Sequence, residues 1–290
     1  MPLVTAISAE SGKRVSMALL NIAEIFGFDV TNGSSAARRS RGQKWCRFRN
    51  AQGNKGNLQN PLGICSFSDG NQAGVVCPSR FLESDRMFKD AALAAFGRGA
   101  RIIVAPEIRI LRIQGQRSRK IGKVDYIIGR LDKHDEVCDF AALEVQAVYF
   151  SGRSIQPAFH NFLKTGQLMA NAQRRLDYRS SAQKRLMPQL NLKVPVFRRW
   201  GKKFFVAVDN LFYTQLPAMR TVPNMDNSEV TWLVYPFSKQ KGGYEMAAPA
   251  IHYTLWEDVL NALREGQAPT PGEIMAEISA RRAEYRMLTV

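Results

Sequence analysis

Lys123-Val124-Asp125-Tyr126-Ile127-Ile128 and Ala142-Leu143-Glu144-Val145-Gln146-Ala147 are two short, mostly apolar runs, each with an acidic residue near its centre. Runs of this length and composition read as buried strands, where a carboxylate is costly unless something compensates it. In Leu143-Glu144-Val145-Gln146, strand alternation sends Leu143 and Val145 to one face and sets Glu144 and Gln146 side by side on the other. A divalent cation is the natural compensation for carboxylates converging from two neighbouring strands. With a polar side chain two residues beyond the second acid, the donors are hard oxygens and suit Mg²⁺. Such a site is fitted to phosphodiester hydrolysis. The alternative is that both acids are edge-strand charges, facing solvent or paired with arginines. Arg109, Arg112, Arg117, Arg119, Lys120 and Lys123 follow one another without an intervening acid. That run sets a phosphate-attracting surface beside the acids, and the combination favours a nuclease.

The whole chain carries the same bias. Its 290 residues include 41 Lys+Arg against 25 Asp+Glu, a net charge of +16, and the sequence pI is near 10.0. Such a field recruits polyanions, nucleic acid above all. Ribosomal and membrane-surface proteins share the charge, but not paired acids on apolar strands. A second acid-free run comprises Arg38, Arg39, Arg41, Lys44, Arg47, Arg49 and Lys55, with Trp45 and Phe48 interleaved, which suits backbone contact and base stacking. From Arg174 to Lys203 there are ten Lys and Arg against the single acid Asp177. A solvated helix face mixes signs, so this segment is expected to touch DNA or RNA.

Other classes lack support. His134, His160 and His252 are scattered, giving neither a metalloprotease pair nor a nucleophile triad, and no glycine-rich loop precedes Lys-Ser or Lys-Thr. The first residues show no basic segment followed by an apolar one and a cleavage site, and no later run reaches the length of a membrane span. The expectation is a soluble, cytoplasmic protein with no membrane partner. Four cysteines in a chain this long do not make a disulfide scaffold, so they are read as thiols in a reducing compartment, free for metal or core.

Periodicity predicts a helix over 11–26 ending at Gly27, a long loop over 31–74, and a helix over 81–96 ending at Gly97. Next comes a strand over 101–113, broken at Ala105-Pro106 and carrying a third acid, Glu107. Strands over 122–131 and 140–149 hold the two opening acids. A long basic helical region is expected over 157–186, strands over 204–212 and 230–236, and amphipathic helices over 255–264 and 273–285. This order implies an α/β protein with a central strand group and helices on both sides.

Several segments then fall into a recognisable order. They are Ile22-Ala23-Glu24-Ile25-Phe26-Gly27, Asn60-Pro61-Leu62-Gly63-Ile64-Cys65-Ser66, Val76-Cys77-Pro78-Ser79-Arg80-Phe81-Leu82-Glu83, Asp125, Leu143-Glu144-Val145-Gln146 and Ser151-Gly152. In that order and spacing the chain resembles the NotI family of type II restriction endonucleases through most of its first 220 residues; the last 70 add little. The resemblance implies a PD-(D/E)XK core, a mixed central sheet flanked by helices, in which glutamine stands at the usual lysine position. An N-terminal helical and cysteine-containing region is expected over 1–98. The catalytic and DNA-binding region follows over 99–290, the two either separate or continuous.

By the same resemblance Asp125 and Glu144 are Mg²⁺ ligands, Gln146 orients the attacking water or a phosphate oxygen, and Glu107 is an additional acid from the preceding strand, unless Pro106 marks a strand end in solvent. The family also carries a cysteine-bound metal ahead of its core. Cys46, Cys65 and Cys77 fall where three ligands for iron or zinc are expected, but Gly53 stands where the fourth would be. Cys138 lies elsewhere, as core or surface. The implied activity is Mg²⁺-dependent cleavage of double-stranded DNA by a homodimer at a short palindrome. A G·C-rich site is favoured by the abundance of arginine. The rivals are a non-catalytic DNA- or RNA-binding protein and a less specific repair or recombination nuclease on the same core.

Overall fold

The computed structural model describes residues 21–57, 59–68, 71–113, 119–152, 154–167, 174–264 and 269–288. The main elements in chain order are β1 (Asn21–Ile25), β2 (Phe28–Asp29), α1 (Ser35–Gln43), β3 (Ile64–Ser68), β4 (Ala73–Val75), α2 (Arg86–Phe96), β5 (Ile102–Ile113), β6 (Arg119–Leu131), β7 (Val137–Val145), α3 (Gln156–Thr165), α4 (Met187–Arg199), β8 (Phe204–Asp209), β9 (Val230–Tyr235), β10 (Ala250–Thr254), α5 (Trp256–Arg264) and α6 (Pro271–Ala280). A mixed six-stranded sheet runs in the order β10-β9-β8-β7-β6-β5, and a four-stranded antiparallel sheet in the order β2-β1-β3-β4. In the large sheet β5, β6 and β7 form an antiparallel meander. β8 and β9 add in parallel, and β10 closes the far edge antiparallel. Among the described residues no helix is long and apolar enough to cross a membrane.

Strands β8 and β9 and the second half of β7, from Ala141 to Val145, are buried on both faces, as their near-continuous apolar runs require. Leu143 and Val145 point into one layer with Phe81, Met87 and Phe88. Ala142 points into the other with Val194, Phe197 and Phe204. α4 covers that second face through Leu190, Lys193, Val194 and Phe197, a stripe at helical spacing. Each apolar member of the stripe contributes about 1.5–3 kcal/mol by leaving water.

Several expectations are corrected here. Residues 21–25, placed in a helix over 11–26, form strand β1; the earlier part of that span lies outside the described residues. Ile22, Ala23 and Ile25 satisfy both periods, and a strand buried on both faces wins because β2 and β3 flank it. The expected N-terminal helix is therefore, where described, a small sheet. The loop over 31–74 contains α1, two short hairpins and β3. α1 has no apolar stripe to betray it: Ser34 caps its start by accepting from the Ala37 N–H, and Lys44 ends it in the left-handed conformation.

The helix expected over 157–186 is interrupted as well. α3 stops at Gly166, whose φ of +71° suits a glycine cap. Arg174–Asp177 is instead a strand paired with Tyr149–Gly152, and helical structure resumes from Tyr178 to Arg199. The strand expected over 204–212 ends at Asp209, which caps the short helix Asn210–Thr214, and the last helix reaches only Ala280.

Buried polar groups tie the small sheet to the large one. Asp209 of β8 accepts from the Val75 N–H of β4 at 3.1 Å, and the Val148 N–H donates to the Val75 carbonyl at 3.0 Å. Arg80 is fully buried. It donates to Glu24 of β1 at 3.0 Å, to Glu83 at 2.7 Å and to the Tyr244 carbonyl at 2.7 Å, and it stacks over Phe48 and Phe237. A buried guanidinium is tolerable only with such full pairing.

Candidate active site

The three acids lie in one row across β5, β6 and β7. The β5/β6 register pairs Val124 with Ile108 and Tyr126 with Pro106, which sets Asp125 opposite Glu107. The β6/β7 ladder ends at Tyr126 and Leu143, and the next step in that register sets Asp125 opposite Glu144. There side chains replace the ladder. The Asp125 N–H donates to Glu144 Oε1 at 3.2 Å, and the Val145 N–H donates to Asp125 Oδ2 at 3.0 Å. Each carboxylate is thus held by the backbone of the other's strand, while one oxygen of each takes no part in the exchange.

Their environments differ. Glu144 is buried, and burial, followed by repulsion from Asp125, pushes its carboxyl up to about 7 against the pull of Lys193. The Lys193 ammonium on α4 donates to Glu144 Oε1 at 2.7 Å and to Gln189 Oε1 at 3.1 Å. Gln146 is buried as well. Its N–H continues the pairing to the Ala207 carbonyl of β8 at 3.0 Å, and its side-chain amide donates to the Ala147 carbonyl. Glu107 is exposed with φ of +60°, and Lys123 donates to it at 2.7 Å, which holds its carboxyl below the usual range. Pro106 is no strand end: it lies within β5, on the sheet edge where a missing N–H is tolerated.

A cleft of about 820 Å³ opens over this row. Glu107, Asp125, Tyr126 and Gln146 line one side, and Arg49, Lys184, Arg185, Tyr149 and Gln189 line the rest. Arg185 stacks on the Tyr149 ring at 3.4 Å. Glu144 sits behind the cleft wall, on the α4 side.

The basic segments divide when folded. In the run after Arg38, Arg41 donates to the carbonyls of Asp29, Val30 and Asn32, Lys55 to that of Val76 and Lys44 to that of Gln59, so these cations hold the small module together. In the segment from Arg174 to Lys203, Lys193 belongs to the core, Arg198 pairs with Glu229, and Lys202 pairs with Asp139. Lys184 and Arg185 of that segment line the cleft. Lys193, counted among the cations expected to touch nucleic acid, is buried instead, and a signal was present: it falls on the stripe of Leu190, Val194 and Phe197, where an unpaired lysine would be costly.

Cys46, Cys65 and Cys77 are all buried and line one cavity of about 20 Å³ with Gly53, Phe26 and Gly63. Burial raises the thiols of Cys46 and Cys65, for Cys65 with added repulsion from Cys77. The Cys65 thiol donates to the Gly63 carbonyl at 3.5 Å. Gly53 supplies no donor, and a side chain there would press on the Phe26 ring and Pro61 at 3.1 and 3.2 Å. Among the described residues no group of three or more His, Cys, Asp or Glu could hold a metal ion. The thiols therefore fall short of a closed four-ligand centre. Cys138 is exposed, its thiol directed at the Arg130 carbonyl.

A mixed sheet that presents carboxylates from adjacent strands to a basic cleft has the layout of a nuclease. The sequence-family model described as Restriction endonuclease NotI matches residues 31–247, and the chain belongs to the NotI restriction endonuclease family. A comparison with curated proteins finds no match.

Proposed function

We propose that this endonuclease has a PD-(D/E)XK-type core and makes Mg²⁺-dependent cuts in double-stranded DNA at a short palindromic, G·C-rich site. The observation that carries the reading is the reciprocal hold between Glu144 and Asp125, the latter lining a cleft that Arg49, Lys184 and Arg185 also line. Two carboxylates with few further protein donors fit Mg²⁺, which is commonly bound through one or two carboxylates and keeps waters and phosphate oxygens for its remaining positions. Asp125 and Glu144 would hold the ion. When bound, Mg²⁺ polarises the scissile phosphate and makes its water a stronger nucleophile.

The chain's own groups supply the rest. Arg49, Lys184 and Arg185 draw the DNA backbone into the cleft. Gln146 orients the attacking water or a phosphate oxygen. Glu107, level with Asp125 and tethered by Lys123, is the additional acid at the cleft rim. Cleavage of both strands follows from a homodimer whose two-fold axis coincides with that of the palindrome.

The test is incubation of the purified protein with unmethylated phage DNA and Mg²⁺, alongside D125N and E144Q. Discrete bands from the wild type, and none from variants that still bind the cognate site, support the reading. A smear of fragments would indicate the less specific nuclease. Binding without any cleavage by the wild type would indicate the non-catalytic protein, and wild-type rates in either folded variant would remove that residue from the site.

A further inference from the structure

Glu144 is held from behind by a group that neither composition nor motif singled out. Lys193 is only 3 % exposed, lies in the apolar stripe of α4, and brings its ammonium to 2.7 Å from Glu144 Oε1. The strand position two residues beyond Glu144 carries the neutral Gln146, whose amide is turned to the Ala147 carbonyl. The cation beside the carboxylates therefore arrives from α4, the helix packed on the face of the sheet to which Glu144 points. Lys193 is itself held by Gln189, one turn earlier, whose side chain lines the cleft.

We propose that Lys193 is a positioning residue for this reaction: by holding Glu144 Oε1, together with the Asp125 N–H, it presents the remaining oxygen of Glu144 to the metal. The inference rests on the function proposed above. Partners that orient a ligating carboxylate commonly matter by 10–100-fold in metal affinity or activity. With Lys193 removed, Glu144 keeps one of two donors on Oε1, and the incoming ion must order the carboxylate itself.

The experiment compares wild type, K193Q, K193R and D125N. Mn²⁺ binding to the free protein is read by electron paramagnetic resonance, and the Mg²⁺ dependence of cleavage is read under single-turnover conditions. In K193Q the Mn²⁺ dissociation constant and the Mg²⁺ half-saturation point are expected to rise about tenfold. K193R, which retains the charge, should stay within about threefold of wild type. A folded K193Q that binds Mn²⁺ as tightly as wild type, or more tightly, overturns the proposal, since the ammonium would then be inert or merely repel the ion. Should K193Q not fold, the wild-type protein decides: the ¹⁵N resonance of the Lys193 ammonium must move as Mg²⁺ is added, and a stationary signal overturns the proposal. D125N separates the two levels of argument. Wild-type cleavage by D125N sinks the assignment of the site, whereas an inactive D125N beside a wild-type-like K193Q sinks only the role of Lys193.

Discussion

Metal-free protein should lose stability as the pH rises through neutrality, and Glu144 is the reason. Its carboxyl is raised from 4.5 to about 7, first by burial and then by Asp125. Between those values the folded state holds a proton that the unfolded chain releases, so stability falls with increasing pH; the penalty begins above 4.5 and is complete above 7. A difference of about 2.5 units at 1.36 kcal/mol each is about 3 kcal/mol. Asp209, raised by burial to about 6, acts in the same direction. E144Q isolates the Glu144 contribution, because Asp209 is common to both proteins and cancels. Urea unfolding in EDTA, from pH 5 to pH 8.5, should show wild type losing about 2–3 kcal/mol relative to E144Q across the range. Mg²⁺ at pH 8 should then stabilise wild type and leave E144Q unmoved. A wild-type-minus-variant difference that is flat with pH would refute the assignment of a high carboxyl to Glu144.

R80M leaves Glu24 and Glu83 facing one another without their shared cation and should cost about 3–5 kcal/mol in urea unfolding; a loss under 1 kcal/mol would mean that the triad is replaceable. K184A/R185A should weaken DNA binding and flatten its log-log salt slope by about two, one per phosphate contact, whereas R198A, paired with Glu229, should change the slope little. Unchanged slopes in the double variant would place the DNA elsewhere. Protein purified without chelator should carry well under one iron or zinc per chain at Cys46, Cys65 and Cys77, and lose it to EDTA; one chelator-resistant ion per chain would reveal a fourth donor.

The sequence by itself determined the two acid-bearing strands. The alternation of Leu143 and Val145 against Glu144 and Gln146 is local, because successive strand residues face opposite ways whatever surrounds them, and it matches the packing of both leucine and valine into one layer. The α2, β9 and α5 segments were legible because each buries one readable face or run. Tertiary structure alone decided the rest. Residues 21–25 fit either period, and only flanking by β2 and β3 made them a strand. Whether a basic residue meets DNA, a backbone carbonyl or a buried acid depends on partners distant in sequence: Arg41 reaches carbonyls 9 to 12 residues away, and Lys193 reaches Glu144 across 49. Charge adds along a chain without regard to fold, but its pairing is set by distance in space, and the cation behind Glu144 therefore became visible only when α4 packed against β7.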